Sequence, residues 1–199
     1  MKLERVLAFT EMLQAFQKVD RVLRVPGMPG RWENDVEHSY NLAMLAWYLV
    51  TSEKLALDAD LVLKYGMIHD LVEVYAGDTY IYSKDPAHVA SKHEREEAAA
   101  QQLKETFPEF DDLHLVIEQY EKREDPESRF IYALDKLQPV IHIYLDGGVT
   151  WKEMGVTLAM AIENKVPKVA GSPEVAACLD ELLVLLHERQ EELFGSITV

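Results

Sequence analysis

Apolar residues recur at helical spacing along most of the chain. In the first segment they stand at Leu3, Val6, Leu7, Phe9, Leu13 and Phe16, which is the spacing of one helix face. No segment alternates apolar and polar residues in the way that indicates a strand. The pattern predicts helices over residues of about 3–20, 36–54, 59–75, 87–106, 111–122, 127–144, 151–165 and 172–193. We therefore predict an all-α fold, a multi-helix bundle.

Breakers and capping residues mark the ends of these helices. The cluster Pro26-Gly-Met-Pro-Gly30 predicts the first long loop. Asn34 or Asp35 is expected to cap the second helix. The body of that helix, residues 42–50, is apolar almost all round, so we predict a central helix. The charged run at residues 92–97 of the fourth helix is predicted to be a solvated face.

Length and composition fit one domain with a sizeable core. The chain has 199 residues, of which 48% are hydrophobic and 28% charged. We predict a single domain over residues 1–199. Its core would cover about residues 5–145, with C-terminal helices of about residues 150–194 packed onto it.

The charge balance disfavours several classes of partner. The net charge is -15 and the pI is about 4.8, which argues against binding to nucleic-acid backbones or anionic membranes. An anionic substrate would need local attraction from a metal ion or a few Arg and Lys residues. The one cysteine, Cys178, cannot form an intrachain disulfide, and this fits a cytoplasmic location.

Two strong metal-ligand types, His69 and Asp70, stand side by side in an apolar stretch. Burying an imidazole and a carboxylate together costs free energy unless a cation compensates. Two further candidate ligands are His38, in the first turn of the second predicted helix, and Asp135, in the sixth. Such a set suits one divalent ion such as Mn, Co, Fe, Ni or Zn. Four protein ligands would leave open positions for catalysis.

Two carboxylates follow the His-Asp pair. On a helix that reaches Tyr75, Glu73 would share one face with His69 and Asp70. A metal with open positions beside a carboxylate suits hydrolysis of a phosphate ester. Glu73 is the candidate that orients or deprotonates the water. Asp78 is its helper or the proton donor to the leaving group, and which residue does which stays open.

Each motif also has a simpler interpretation. His-Asp dipeptides are common, Glu73 alone would be a surface charge, and Asp135 alone would be an exposed acid. Arg31 precedes the second helix, where it could bind a phosphate near the helix N-terminus or pair with Glu33 or Asp35. The metal interpretation depends on the occurrence of the whole set in order.

The ordered set resembles the HD-domain metal-dependent phosphohydrolase superfamily, and within it the 5'-deoxynucleotidase branch and related small HD hydrolases. The resemblance spans roughly residues 5–145. The motifs that carry it are Arg31-x-Glu33-Asn34, Glu37-His38-Ser39, Ile68-His-Asp-Leu-Val-Glu73, Gly77-Asp78 and Ala133-Leu-Asp-Lys136.

The resemblance implies an all-α HD fold with a single divalent metal ion, Mn or Co being favoured and Ni, Fe, Zn or Mg the alternatives. It implies a phosphomonoesterase that acts on nucleoside or deoxynucleoside 5'-monophosphates, and a homodimer. The implied site residues are His38, His69, Asp70 and Asp135 for the metal, Glu73 and Asp78 for catalysis, and Arg31 and Glu33 for substrate binding.

One departure from the branch bears on selectivity. The branch carries an Arg-Trp or Arg-x-Gly-Trp element in this region for substrate recognition, whereas this chain reads Arg21-Val-Leu-Arg-Val-Pro26. Selectivity for deoxynucleotides is therefore left open. Two alternatives stand beside the nucleotidase: hydrolysis of another phosphate ester, such as a signalling nucleotide, and a non-catalytic HD module that binds a ligand or a partner.

Overall fold

The computed structural model describes residues 2–195 and is predominantly helical, which confirms the all-α class. Two short strands, β1 (Asp20–Arg24) and β2 (Trp32–Asn34), form a two-stranded sheet. No helix within this range is long and apolar enough to span a bilayer. The helices are α1 Leu3–Phe16, α2 Asp35–Ser52, α3 Ala59–Ile68, α4 Glu73–Ala76, α5 Pro86–Ala90, α6 Lys92–Thr106, α7 Asp111–Lys122, α8 Pro126–Leu145, α9 Val149–Met154, α10 Leu158–Val169, α11 Pro173–Glu188 and α12 Gln190–Phe194.

The chain divides into two compact units. The first unit runs up to Arg21 and continues over Glu33–Glu124, and the second comprises Val22–Trp32 and the chain from Asp125 onward. In the first unit α2 packs against α3, α3 against α7, and α4 against α1 and α6. In the second unit α8 packs against α10 and α11, and α9 against α12.

The first unit has its own apolar core, built from α1, α6, α7 and the turn before α4. The buried members of this core are Met12, Phe16, Leu71, Val72, Ala99, Leu103, Phe107, Leu113 and Ile117. A single domain over residues 1–199, with C-terminal helices packed on the core, stays a prediction. The ends of that range, Met1 and residues 196–199, lie outside the described residues.

The predicted absence of strands is wrong for one hairpin-like segment. α1 ends earlier than predicted, at Phe16, and β1 follows with Leu23 as its buried residue. A five-residue strand directly after a helix gives too short an alternation to stand out from the helical period. The predicted loop between the strands is confirmed, and Gly27 and Gly30 have φ values of 73° and 79° there, which glycine adopts without steric cost.

The third predicted helix is interrupted at the His-Asp pair. α3 ends at Ile68 and α4 begins at Glu73, with a tight turn between them. Within this turn the Leu71 N–H donates to the Ile68 carbonyl at 2.9 Å, and the Glu73 N–H donates to the Asp70 carbonyl at 2.8 Å. These hydrogen bonds join residues three positions apart, as in a 3₁₀-helix, instead of four as in an α-helix. The prediction of one helix reaching Tyr75 is therefore wrong.

The start of α2 is capped as predicted. The Asn34 side chain accepts a hydrogen bond from the Glu37 N–H at 3.0 Å. In return, Glu37 Oε2 accepts one from the Asn34 N–H at 3.3 Å. This reciprocal pair is a capping box, and it fixes the first turn of the helix, which carries His38.

Burial on α2 is one-sided, although its sequence is apolar almost all round and predicted a central helix. One side is buried through Leu42, Ala43, Ala46 and Val50. The large apolar side chains on the exposed face of α2 are Tyr40, Met44, Trp47 and Tyr48, which are between 42% and 63% exposed. These four residues are spaced at helical intervals, so they form one contiguous apolar surface.

The close approach of α2 and α3 depends on Gly66. A Cβ atom at this position would lie 2.9 Å from the Ala43 Cα. We expect Gly66→Ala to lower the free energy of unfolding by about 1–3 kcal/mol, because overpacking outweighs the gain in helix propensity. Urea denaturation measures this loss. Adding Ala43→Gly should recover part of it, and an equal loss in both backgrounds would contradict the packing argument.

Candidate metal centre

Two histidines from different helices meet in the first unit. His38 belongs to α2, and His69 directly follows the last residue of α3. The contact between Gly66 and Ala43 holds these two helices close together. Both rings are buried, with exposures of 0% for His38 and 5% for His69. Their Nε2 atoms lie 3.1 Å apart.

Asp70 completes a triangle of donor atoms with the two rings. Its Oδ2 atom lies 3.1 Å from His69 Nε2 and 3.6 Å from His38 Nε2. Ligand atoms bound about 2.1 Å from a shared ion at right angles would be about 3.0 Å apart. The three donors therefore fit one divalent ion, and their mixed nitrogen and oxygen chemistry suits a transition metal.

The surroundings of both rings orient them for metal binding. His69 Nδ1 lies 3.0 Å from the Gly66 carbonyl and donates its proton there, so Nε2 presents a lone pair to the centre. His38 Nδ1 faces Glu33 Oε2 at 3.7 Å, which is longer than a hydrogen bond. A carbonyl or carboxylate beside the distal ring nitrogen is the usual setting of metal-binding histidines.

Asp135 is described within the second unit. It lies on α8 and is 3% exposed, among buried residues such as Ala133 and Leu134. Its Oδ2 atom accepts a hydrogen bond from Lys136 Nζ. The simpler interpretation of Asp135 as an exposed acid is therefore wrong. Its role as the fourth metal ligand stays a prediction.

An acidic cluster surrounds Asp70. Oxygens of Asp35, Asp70 and Glu73 lie within 4.8 Å of one another, as a cation site requires. Burial and then the Asp70 carboxylate raise the pKa of Asp35 to about 7. Burial, followed by repulsion from Asp70 and Asp78, raises the pKa of Glu73 well above its ordinary value. Burial also raises the pKa of Asp78. This negative potential favours a bound cation.

Arg21 offsets part of this charge. Its Nη1 lies 2.7 Å from Asp70 Oδ2 and 3.2 Å from Asp35 Oδ1. Its Nε lies 3.7 Å from Glu33 Oε2. The guanidinium thus joins a predicted metal ligand to the base of α2. Arg21 was not among the site residues predicted from the sequence, although it begins the segment that departs from the Arg-Trp element.

The candidate catalytic residues lie on either side of a glycine turn. Glu73 opens α4 and is 2% exposed. Gly77 closes α4 with φ 73°, and its N–H donates to the Glu73 carbonyl at 2.7 Å. A residue with a side chain rarely adopts this φ, so the glycine sets the path of the chain into Asp78. The negative charges of Asp70 and Asp78 both contribute to the raised pKa of Glu73.

The prediction that residues 92–97 form a solvated face is wrong for two side chains. Lys92 Nζ lies 3.4 Å from Glu73 Oε1. Arg95 donates to the Thr79 hydroxyl at 2.6 Å and to the Ala76 carbonyl at 2.5 Å. The local sequence of a charged run is the same whether its side chains face solvent or contact a carboxylate far away in the chain. Its contacts with the segment around Gly77 were therefore missed.

Arg31 and Glu33 were predicted as substrate contacts, and they lie in different units. Arg31 is exposed, and its Nη1 lies 3.1 Å from the Met28 sulfur. Glu33 is 2% exposed, faces the distal nitrogen of His38 and pairs with Arg21. These contacts suit Glu33 for orienting the His38 ring. The substrate roles of both residues stay predictions.

Comparisons with known proteins give the family. The family model described as an HD domain matches residues 16–176. The 5'-deoxynucleotidase HDDC2 of Bos taurus is 29% identical over 138 residues, covering 68% of this chain and 65% of that protein. Its Homo sapiens counterpart is 27% identical over 138 residues, with shares of 68% and 65%. The matches thus span a little under two thirds of the length of these relatives.

Solved structures extend the likeness along the chain. A "Predicted metal-dependent phosphohydrolase" from Magnetospirillum magnetotacticum is 30% identical, with a TM-score of 0.77 and 95% of both chains covered. A "Conserved hypothetical protein" from Pyrococcus furiosus is 21% identical, with a TM-score of 0.60 and shares of 94% and 99%, and it shows the fold alone. Because the family model matches most of the chain and the Magnetospirillum structure shares its fold, this chain belongs to the HD domain family, as its ordered motifs predicted.

Proposed function

We propose that this chain is a metal-dependent phosphohydrolase that converts nucleoside or deoxynucleoside 5'-monophosphates into nucleoside and phosphate. The observation that carries the proposal is the triangle of His38, His69 and Asp70 donor atoms, with separations of 3.1 to 3.6 Å. The names of the relatives support the choice of a phosphohydrolase and of a nucleotide substrate.

The proposed metal ligands are His38, His69 and Asp70, with Asp135 as the fourth. One divalent ion would bind, with Mn or Co favoured and Ni, Fe, Zn or Mg as alternatives. When bound, such an ion supplies Lewis acidity to a phosphoryl oxygen and lowers the pKa of water. The hydrogen bond from His69 Nδ1 to the Gly66 carbonyl would keep Nε2 of the same ring directed at the ion.

The residues beside the metal ligands would manage the protons. In hydrolysis a water oxygen bonds to phosphorus and the bond from phosphorus to O5' breaks. Glu73 would hold the water and accept its proton, and Asp78 would assist it or donate a proton to O5'. Arg21 would hold Asp70 in place and add positive charge near the phosphate. Arg31 and Glu33 remain proposed substrate contacts.

A phosphate-release screen tests this function. Protein loaded with Mn or Co would be assayed against nucleoside and deoxynucleoside 5'-monophosphates, cyclic and polyphosphate nucleotides, and sugar phosphates. Fastest release from a 5'-monophosphate is the expected result. Preference for a signalling nucleotide or another ester would favour the alternative of an HD hydrolase that acts on another phosphate ester. Protein that binds no metal and hydrolyses none of these would favour a non-catalytic HD module.

We also propose a homodimer formed through the exposed face of α2. Aromatic and methionine side chains are enriched at the buried centres of interfaces, and an exposed apolar patch of this kind marks a contact surface. Trp47→Glu is expected to convert the dimer to a monomer in light scattering after size exclusion. Val184→Glu places the same charge at an exposed site on α11 and should leave the dimer intact. A wild-type monomer at micromolar concentration would contradict the proposal.

We propose a cytoplasmic location and a small-molecule partner. The net charge of -15 and the lone cysteine favour a cytoplasmic protein that binds neither nucleic acid nor anionic membranes. A small-molecule nucleotide monophosphate is then the proposed partner, attracted by local positive charge.

A further inference from the structure

Lys92 lies beside the candidate catalytic carboxylate, although the mechanism above gives it no role. It begins α6, and α6 packs against α4, which begins with Glu73. Lys92 Nζ is 3.4 Å from Glu73 Oε1 and 3.0 Å from Glu96 Oε1. The ammonium group thus bridges a buried site carboxylate and a carboxylate on its own helix.

Two hydrogen bonds from one side chain connect the start of α6 to the glycine turn. Arg95, one turn after Lys92, donates to the Ala76 carbonyl at 2.5 Å and to the Thr79 hydroxyl at 2.6 Å. These two acceptors stand before and after the Gly77-Asp78 step. The helix turn that carries Lys92 is therefore connected to the segment on both sides of Asp78.

The exposure of Lys92 sets it apart from the other cation of the cluster. Its side chain is 39% exposed, whereas that of its partner Glu73 is 2% exposed. Arg21, the other cation that acts on Asp78, has a side chain only 14% exposed and meets three carboxylates. Of Lys92 and Arg21, Lys92 is therefore the cation that an anion can reach from solvent.

A phosphate monoester approaching this site meets strong negative charge. Oxygens of Asp35, Asp70 and Glu73 lie within 4.8 Å of one another, Asp78 adds to the repulsion on Glu73, and the whole chain carries -15. Like charges repel the substrate unless a cation contacts it directly. Lysine is a strong point-charge partner for phosphate, and Lys92 offers such a charge at the edge of the cluster.

We propose that Lys92 is a substrate-binding residue: its ammonium exchanges Glu96 for the phosphate oxygens of the substrate while it stays beside Glu73. This inference rests on the proposed phosphohydrolase function and deepens it. It gives the acidic protein a specific contact with an anionic substrate.

Calorimetric titration of inorganic phosphate into Mn-loaded protein tests the contact without turnover. Lys92→Met is expected to weaken phosphate affinity at least about tenfold, since a charge-assisted hydrogen bond is lost. It should raise the KM for a 5'-monophosphate by a similar factor. Lys92→Arg keeps the charge and should stay within about threefold of wild type.

Lys64→Met is the matched control. Lys64 lies on α3 of the same unit, is 51% exposed and pairs with Asp112 at 2.8 Å. The Lys64→Met variant removes the same charge from the chain as Lys92→Met. Because this charge is exposed and screened by salt, phosphate affinity should stay within about twofold of wild type. Metal content and circular dichroism are measured for every variant. If Lys92→Met does not fold, Lys92→Gln replaces it with the same expectation.

Three outcomes would overturn the inference. One is unchanged phosphate affinity in folded Lys92→Met. Another is an equal loss in Lys64→Met, which would reduce the effect to overall charge. The third is a fall in kcat alone, which would make Lys92 a positioning residue for Glu73. If wild type releases phosphate from no ester while Lys92 still controls phosphate affinity, the proposed function fails and the Lys92 contact stands.

Discussion

Asp70→Ala is expected to abolish metal binding and phosphate release while leaving the helices intact. Asp70 Oδ2 lies 3.1 Å from His69 Nε2 and 3.6 Å from His38 Nε2, so its loss removes one corner of the donor triangle. We expect kcat/KM to fall at least about 1000-fold, because the Lewis acid is lost together with its ligand. Metal analysis by mass spectrometry, phosphate release and circular dichroism would be measured on the same sample.

The fold should tolerate this substitution. Arg21 loses one partner but keeps Asp35 at 3.2 Å, and Asp70 lies in a turn rather than in the core. Asp112→Ala is the matched control, since it removes a 59% exposed carboxylate of the same unit and should leave metal content and activity unchanged. An Asp70→Ala protein with a full metal complement and wild-type activity would refute the assignment of the centre.

Glu73→Gln is expected to lower kcat by about 100- to 10,000-fold while metal content stays at the wild-type level. The amide has the size of the carboxylate but cannot accept the proton of a water. Glu73 Oε2 is buried and has no hydrogen-bond partner among the described residues, so one oxygen remains available for a water. Steady-state phosphate release and metal analysis measure the two quantities separately.

Glu97→Gln provides the comparison for this variant. Glu97 is 69% exposed and faces His93, so the same chemical change there should leave kcat unaltered. Two results would count against the role of Glu73. A kcat above half of the wild-type value would exclude it as the proton acceptor, and a loss of metal would make Glu73 a ligand instead.

Local sequence rules were sufficient where a residue acts on its near neighbours. Asn34 and Glu37 form a capping box over three residues, so the start of α2 could be predicted. His69 and Asp70 could be selected because ligand types in an apolar stretch need compensation. The breaker cluster around Gly27 and Gly30 likewise predicted its loop.

Contacts between distant segments escaped these rules. Lys92 stands 19 positions after Glu73, within a run that has the composition of a solvated face. Arg21 stands in a short strand whose alternation lasts only five residues. In both cases the partner is a carboxylate on another element, and no local pattern specifies that pairing.

The break after Ile68 shows a second limit of periodicity. Between α3 and α4, hydrogen bonds join residues three positions apart instead of four. A short stretch of such turns keeps the apolar residues at an almost helical spacing. The sequence pattern therefore predicted one helix across the site. The tighter turn moves His69 and Asp70 to the end of α3, where both donor atoms reach the ring of His38.

Anomalous diffraction from crystals of the Mn-loaded protein tests the central claim most directly. We expect one manganese peak within about 2.5 Å of His38 Nε2, His69 Nε2 and Asp70 Oδ2, with the Asp135 carboxylate as a further ligand. Manganese bound only elsewhere, or a peak that leaves either histidine outside its coordination sphere, would contradict it.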